Sequence, residues 1–230
     1  MRYRQWEYDS MSDDYERLFY FTNTNHLLEN LLGKKVKISA FSKCNDFFEL
    51  ASINLGDREM RKSHKAWVRK LEEKVGLICL SGDWRHPLMW AHYAAAGRGV
   101  CLVLDVKKEP ILEVNYVSRR VSSKAALRLP SLVDPDFYEF CSTKANFWSY
   151  EQESRLFVDY SSADAKHEEG NWFLRFGSTI SLVGIINGPR PALGMEAIKG
   201  AAPEVKYFQC RPANTRFEMV RNLDKTSWKQ

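Results

Sequence analysis

The sequence predicts an α+β fold in which mixed sheets are flanked by helices. Predicted strands slightly outnumber predicted helices and come in adjacent runs, as is typical of this class. The composition indicates a packed globular protein, because 44% of the 230 residues are hydrophobic and 13% are aromatic, whereas disordered chains contain few such residues. A chain of this length is long enough for one sizeable core, so we expect a single domain over residues 1–230.

The hydrophobic pattern along the chain predicts the individual elements. Alternation of apolar and polar residues indicates strands, and amphipathic or alanine-rich stretches that follow a capping residue indicate helices. Strands are predicted at 18–22, 35–40, 76–81, 100–106, 111–117, 172–176, 180–187 and 204–210, and helices at 23–32, 57–75, 87–97 and 193–200. The final strand, helix and strand resemble a crossover unit. Residues 161–171 are predicted to form an acidic loop.

The stretch CNDFFEL, residues 44–50, carries a helix-start signal. Asp46 is followed three residues later by Glu49, and this spacing is typical of a capping box. We therefore expect a helix to begin here, with Asp46 as its cap.

The predicted domain has three parts. Residues 1–17 are polar and aromatic and form an N-terminal arm, residues 18–190 form the core, and residues 191–230 form a C-terminal helix, a strand and a basic tail.

The net charge bears on the partners of the protein. The formal charge of +5 is mildly basic, which permits a polyanionic partner without providing the dense patch of a dedicated nucleic-acid binder. Any RNA or DNA is expected to contact the basic stretch 57–75 through Arg58, Arg61, Lys62, Lys65 and Arg69.

The cysteines and the apolar runs bear on location. Five cysteines are widely spaced without a C-x-x-C pair, which indicates reduced thiols in a cytoplasmic protein. There is no signal segment at the N-terminus, and no apolar run approaches the roughly 18 residues of a membrane span. We therefore expect no contact with a membrane.

The stretch NFWSYEQESRLFVDY, residues 146–160, places charged residues at alternate positions in an otherwise apolar run. If residues 147–159 form one strand, then Glu151, Glu153 and Arg155 point to the same side, with about 6.6 Å between alternate positions. Two carboxylates at that spacing can contact different atoms of one bound sugar, while Arg155 holds a carboxylate or meets a phosphate. The alternative is an ion ladder on a solvent-exposed face, which contributes little to stability.

Five blocks of sequence together resemble the bacterial domain of unknown function 2971 family. The blocks are CNDFFEL, LICLSGDWRHPLMWAHYAAAGRGVCLVLDV, VNYV, KANFWSYEQESRL and SLVGIINGP. The resemblance covers residues 18–190. The family often has a basic residue in its first strand, and the stretch LFYFT has none here. The family itself implies no reaction.

The E-x-E pattern on a late strand also resembles, more loosely, that of ADP-ribosyltransferases. This resemblance implies an ADP-ribosyltransferase-like fold and an NAD-consuming enzyme that acts on nucleic acid or protein, in a toxin or in phage defence. Glu153 would stabilise the cationic sugar as nicotinamide leaves, Glu151 would orient the acceptor, and Arg155 would clamp both carboxylates. The side chains expected to contact NAD are Tyr20, Trp90, His92 and Tyr93. The alternative for Trp90 and Tyr93 is a place in the core on one helix face.

Two other functions stay open at this point. One is a non-catalytic module that binds nucleic acid or a nucleotide through the aromatic-rich sheet and the basic stretch 57–75. The other is a metal-dependent nuclease that uses the same carboxylates. The sequence contains no recognisable constellation of metal ligands, so no metal site is predicted.

Overall fold

The chain forms two compact units, each built from segments that are separate in sequence. A computed structural model describes residues 11–25, 27–120 and 136–228. The first unit takes the chain up to Val36, Leu80–Glu109 and the chain from Arg175 onward, and the second takes Lys37–Cys79 and Pro110–Leu174. Residues 1–10 of the predicted arm lie outside the described residues, and Tyr15 already belongs to a strand.

Both α-helices and mixed β-sheets are present, as the sequence predicts. The α-helices of the described residues are α1 (Leu27–Leu32), α2 (Arg58–Glu72), α3 (Pro87–Tyr93), α4 (Asp136–Cys141) and α5 (Met195–Ala201). The strands up to residue 117 are β1 (Tyr15–Thr22), β2 (Lys35–Ile38), β3 (Val75–Ser81), β4 (Val100–Lys107), β5 (Ile111–Glu113) and β6 (Asn115–Val117). The later strands are β7 (Thr143–Ala145), β8 (Glu153–Asp159), β9 (Ala165–Glu168), β10 (Asn171–Arg175), β11 (Ile180–Asn187), β12 (Lys206–Pro212) and β13 (Met219–Arg221).

The first unit contains a mixed sheet with the strand order β13-β12-β11-β4-β1. Strand β1 runs antiparallel to β4 over its whole length, and β11 runs parallel to β12. Helix α5 lies between β11 and β12 in sequence, so the predicted crossover unit is confirmed. The core of this unit includes Phe19, Trp90, Cys101, Ile186 and Phe208, and burying each large apolar side chain contributes about 1.5–3 kcal/mol.

The second unit contains β8, with β5 antiparallel to it on one side and β3 on the other. Strand β6 is paired in parallel with β7, and β9 is antiparallel to β10. The core of this unit includes Phe41, Leu50, Leu77, Cys141 and Phe157. Strand β8 therefore runs through the interior, which explains why its charged residues are buried.

Helix α2 of the second unit confirms the helix predicted at 57–75. It begins after Asp57, whose carboxylate accepts a hydrogen bond from the Met60 N–H at 2.8 Å, a contact that satisfies one of the unpaired donors at a helix start. Trp67 packs edge-on against Phe140, with 5.1 Å between the ring centroids. The opposite face of α2 is exposed and carries most of its basic residues.

Three local predictions are wrong. Residues 44–50 form a turn, because the Asp46 carboxylate accepts from the Phe48 N–H at 2.9 Å and Leu50 adopts a positive φ of 55°; an Asx turn of this kind competes with a helix. The predicted strand 111–117 is two strands, β5 and β6, which pair with different partners. The predicted acidic loop contains β9, which is stabilised by pairing with β10.

The cysteines and helices add two findings. All five cysteines are free thiols. Burial raises the pKa of Cys101, Cys141 and Cys210, so these three thiols are unreactive at neutral pH. None of the described helices combines the length and the apolar character that crossing a membrane requires.

Candidate functional site

The stretch 146–160 is not one strand. Residues Asn146–Glu151 form a 3-10 helix, and β8 begins only at Glu153. Between them Gln152 adopts the left-handed conformation with a φ of 43° and a ψ of 52°, which is uncommon for a residue other than glycine and is concentrated at functional sites. Glu151 and Glu153 are therefore brought together by a turn and not by the alternation of a strand.

Lys144, on β7, joins the two carboxylates. Its Nζ donates to Glu151 Oε2 and, at 2.8 Å, to Glu153 Oε2. All three side chains are buried. Strand β7 supplies the lysine because β6 aligns it, with Tyr116 directly opposite Lys144. The hydroxyl oxygen of Tyr116 accepts a hydrogen bond from the backbone N–H of Glu153 at 2.8 Å, which fixes the first residue of β8.

Arg155 extends the group of charges from Glu153 to Glu49. Its Nε donates to Glu153 Oε1 at 2.9 Å, and its Nη1 and Nη2 donate to the two Glu49 oxygens at 2.7 and 3.1 Å. Its Nη1 also donates to the carbonyl of Cys141. The Arg155 side chain is 0% exposed, so the guanidinium depends wholly on these partners for stabilisation.

These five side chains form one buried charge cluster, namely Glu49, Lys144, Glu151, Glu153 and Arg155. The sequence-based alternative of an ion ladder on an exposed face is therefore wrong. The predicted contact between Arg155 and Glu153 is confirmed, whereas Glu151 is held by Lys144.

The charge cluster contains three carboxylates and two cations. Burial alone would raise the pKa of Glu153, but Arg155 and Lys144 together lower it to about 2. Burial raises the pKa of Glu49 in spite of its contact with Arg155, and the charge of Glu153 adds to this effect. Glu49 is thus the carboxylate with the higher proton affinity, and a proton on Glu49 leaves two negative and two positive charges.

This difference predicts opposite effects of pH through Glu49 and Glu153. The folded-state pKa of Glu49 lies above its ordinary value of 4.5, so its contribution to stability is present below pH 4.5 and is lost as the pH rises through that folded-state pKa. The folded-state pKa of Glu153 lies below its ordinary value, at about 2, so its contribution is present above pH 4.5 and is lost as the pH falls towards 2.

We expect Glu49→Gln to remove the loss of stability above pH 4.5, because glutamine stays neutral at every pH. Glu153→Gln, the matched change, should lower the free energy of unfolding at pH 7 and leave less to lose on acidification. Urea denaturation between pH 3 and pH 8 measures both. The assignment is wrong if Glu49→Gln destabilises the protein at pH 7 as much as Glu153→Gln does.

A pocket of about 170 Å³ adjoins the charge cluster through Lys144. Its wall combines cationic, hydroxyl-bearing, aromatic and small apolar side chains. They are Phe48, Ala51, Ser52, Val117, Ser118, Arg119, Arg120, Thr143, Lys144, Ala145 and Phe147. All of them belong to the second unit.

The residues that were predicted to contact NAD lie in the first unit. Tyr20 is on β1, and His92 and Tyr93 are in the last turn of α3. Trp90 is only 2% exposed, and its Nε1 donates to the Trp84 carbonyl at 2.7 Å. The indole of Trp90 is therefore a core group, as the alternative interpretation held. A role for Tyr20, His92 and Tyr93 in binding NAD stays a prediction.

Sequence reasoning missed several residues of the site. Glu49 had been assigned to a capping box, and Lys144 is seven residues before Glu151 without any periodicity that links the two. The signal that pointed to Lys144 was its place in the block KANFWSYEQESRL. Nothing in the sequence marked Arg119 and Arg120 as pocket residues.

Comparison with known proteins adds no assignment. No known protein family, curated protein or solved structure matches this chain. Membership of the domain of unknown function 2971 family stays a prediction that rests on the five sequence blocks. Within the described ranges, no three His, Cys, Asp or Glu side chains form a group that would hold a metal ion.

Proposed function

We propose that this protein is an NAD-consuming enzyme of the ADP-ribosyltransferase type, in the domain of unknown function 2971 family. The observation that carries the proposal is the position of Lys144, which lines the pocket and at the same time bonds to Glu151 and Glu153. The two predicted catalytic carboxylates are thereby attached to the wall of a ligand-sized pocket. A role in a toxin or in phage defence is part of the proposal and rests on the resemblance.

The residues present fit a nucleotide. Arg119 and Arg120 on the pocket wall suit phosphate groups, and Phe147 offers an aromatic face. The indole Nε1 of Trp148 is buried without a hydrogen-bond partner among the described residues. The Trp148 ring lies 5.0 Å from Lys144 Nζ. An unpaired buried donor beside a pocket residue favours a ligand with acceptor atoms, because buried donors are usually paired.

The chain's own residues support the reaction through charge. When bound, NAD supplies an ADP-ribosyl group, since its glycosidic bond to nicotinamide breaks and the bonding electrons leave with the nicotinamide. Glu153 is ionised at neutral pH because its pKa is about 2, and a fixed carboxylate in a dry site stabilises the positive charge that develops on the sugar. Glu151 orients the acceptor and takes up the proton that its attacking group releases.

Lys144 controls how much of that negative charge is felt at the pocket. Its ammonium is shared by Glu151 and Glu153, so their charge is partly cancelled in the free protein. The lysine stem is long and flexible, and a phosphate in the pocket competes with the carboxylates for the ammonium. Ligand binding thereby strengthens the carboxylates' field where the sugar reacts.

The acceptor that the surface charge favours is nucleic acid. Exposed cations of α2 lie at spacings of three, four, seven and eleven residues, which place them along one side of the helix. They are Arg58, Arg61, Lys62, Lys65 and Arg69. Arg61 also donates to the carbonyls of Leu55 and Gly56, and Lys62 is paired with Glu59.

We expect Lys65→Ala combined with Arg69→Ala to weaken binding of single-stranded RNA and DNA. The slope of log affinity against log salt concentration should fall by about two, roughly one for each lost phosphate contact. Lys107→Ala with Arg175→Ala removes two exposed cations of the first unit and serves as the matched control. Equal slopes for both variants would show that α2 does not contact the nucleic acid.

Transfer of a labelled ADP-ribose group identifies the acceptor. We expect the wild-type protein to transfer label from biotinylated NAD to RNA or DNA in preference to lysate proteins. Binding of nucleic acid that survives Glu153→Ala, without label on any acceptor, would favour the non-catalytic binding module instead. No observation favours the metal-dependent nuclease, because Lys144 Nζ occupies the position between Glu151 and Glu153.

A further inference from the structure

We infer that the pocket of the second unit binds a nucleoside phosphate, with the phosphate on Arg119 and Arg120 and the base against Phe147. The inference rests on the proposed function in that it assigns a binding site to the nucleotide of that reaction. It adds residues that the sequence did not single out, and it names the part of the ligand that each of them recognises.

The charges on the pocket wall favour an anion. Three lining residues, Arg119, Arg120 and Lys144, are cationic, and no lining residue that the structure describes is acidic. The two arginines are consecutive and exposed, directly after β6. A guanidinium offers two parallel N–H donors, which match the oxygens of a phosphate.

Hydroxyl groups complete the polar part of the wall. Ser52, Ser118 and Thr143 lie between the cations and contribute donors that suit phosphate or ribose oxygens. A pocket for a purely apolar ligand would not combine two arginines with three hydroxyl side chains.

The charge cluster determines where in the pocket an anion is stable. Lys144 is already neutralised by Glu151 and Glu153, and these two carboxylates repel an anion that approaches from their side. The charges that attract the anion are therefore those of Arg119 and Arg120. A phosphate on the arginines and a sugar towards Lys144 agree with both halves of this arrangement.

Aromatic side chains on the same wall suit a base. Phe147 is 63% exposed although it is a large apolar residue, and stacking of a base on such a ring contributes to binding without requiring a particular sequence. The Arg120 guanidinium lies over the Phe48 ring, 4.8 Å from its centroid, which holds this arginine at the pocket. The neighbouring Phe47 is 99% exposed and extends the aromatic surface beyond the pocket.

The size of the pocket limits what enters it. A volume of about 170 Å³ lies below the roughly 300–1,000 Å³ of pockets that enclose a whole drug-sized ligand. The pocket therefore holds one nucleotide unit in part, and the rest of the ligand extends outside. This unit comes either from a free nucleotide or from an unstacked nucleotide of a single strand, and both present the same base and phosphate.

Equilibrium binding of AMP to the full chain, measured by isothermal titration calorimetry, tests the inference. We expect AMP to bind and adenosine, which lacks the phosphate, to bind at least about tenfold more weakly. Arg119→Gln combined with Arg120→Gln should weaken AMP by a similar factor and leave adenosine unchanged. Arg98→Gln combined with Arg175→Gln, which removes two exposed arginines of the first unit, should leave both ligands unchanged.

Two further arms identify the base contact and the source of the nucleotide. Phe147→Ala should weaken AMP and adenosine alike, because the base is common to both. A 5′-phosphorylated five-nucleotide single strand competes with AMP if nucleic acid supplies the unit, and it fails to compete if only a free nucleotide does. The inference is overturned if AMP does not bind, or if it binds equally well to wild type and to the variant without Arg119 and Arg120.

The outcome for the pocket is separable from the outcome for the proposed reaction. AMP contains no bond to nicotinamide, so its binding does not depend on any turnover. Arginine-dependent AMP binding without nicotinamide release would leave the pocket and reject the transferase. Nicotinamide release that is unaffected when Arg119 and Arg120 are replaced would keep the transferase and reject this pocket as its nucleotide site.

Discussion

Replacing Arg155 with methionine is expected to lower the free energy of unfolding by about 3–5 kcal/mol, which is the cost of breaking a buried ion pair by removing one partner. Methionine fills much of the same space but offers no donor. Glu49 loses both of its printed ion-pair contacts, and Glu153 loses one of its two cations. Urea denaturation at pH 7, followed by tryptophan fluorescence, measures the change.

The matched control for this prediction is Arg69→Met on the exposed side of α2. This change should alter the free energy of unfolding by less than about 0.5 kcal/mol, because surface substitutions away from special features have small effects. A loss below about 1 kcal/mol for Arg155→Met would mean that the charge cluster does not have the buried geometry described, and the basis of the candidate site would fall with it.

Glu153→Gln is expected to reduce NAD consumption by about 10²–10³-fold, the usual effect of removing one group that stabilises charge in the transition state. Glutamine keeps the shape of the side chain but removes the negative charge. The variant is also less stable, so its rate must be compared at a temperature where circular dichroism shows it to be folded. Glu113→Gln, an exposed residue of the neighbouring strand β5, should keep the wild-type rate.

The elements whose signals are local in sequence were predicted well. Helix α2 follows from an amphipathic basic stretch with a capping residue, and Asp57 does cap it. The parallel pairing of β11 and β12 around α5 follows from a strand, a helix and a strand in succession. In such cases the residues that determine the element are next to each other in the chain.

The charge cluster was predicted only in part, because its contacts join distant residues. The contact between Glu153 and Arg155 lies within one strand, and the sequence pattern indicated it. The contact between Arg155 and Glu49 spans 106 residues, and no periodicity encodes such a distance. The sharp turn at Gln152 was also missed, since a left-handed conformation is expected of glycine or asparagine and not of glutamine.

The error at residues 44–50 has a specific cause. A capping-box pattern requires an acidic residue that caps and a second acidic residue three positions later. Here the first side chain, Asp46, closes an Asx turn, and the second, Glu49, is bound by Arg155. The same two residue types at the same spacing therefore serve a turn and a buried ion pair, and local sequence does not distinguish these outcomes from a helix start.

Release of nicotinamide from NAD tests the central claim most directly. Purified protein is incubated with NAD at neutral pH, alone and with RNA, DNA or cell lysate, and free nicotinamide is measured by liquid chromatography. The account predicts release by wild type and by Glu113→Gln that is stimulated by nucleic acid and is lost in Glu153→Gln. Absence of release under all of these conditions, from protein shown to be folded, would contradict the assignment of Glu151, Glu153 and Arg155 to NAD chemistry.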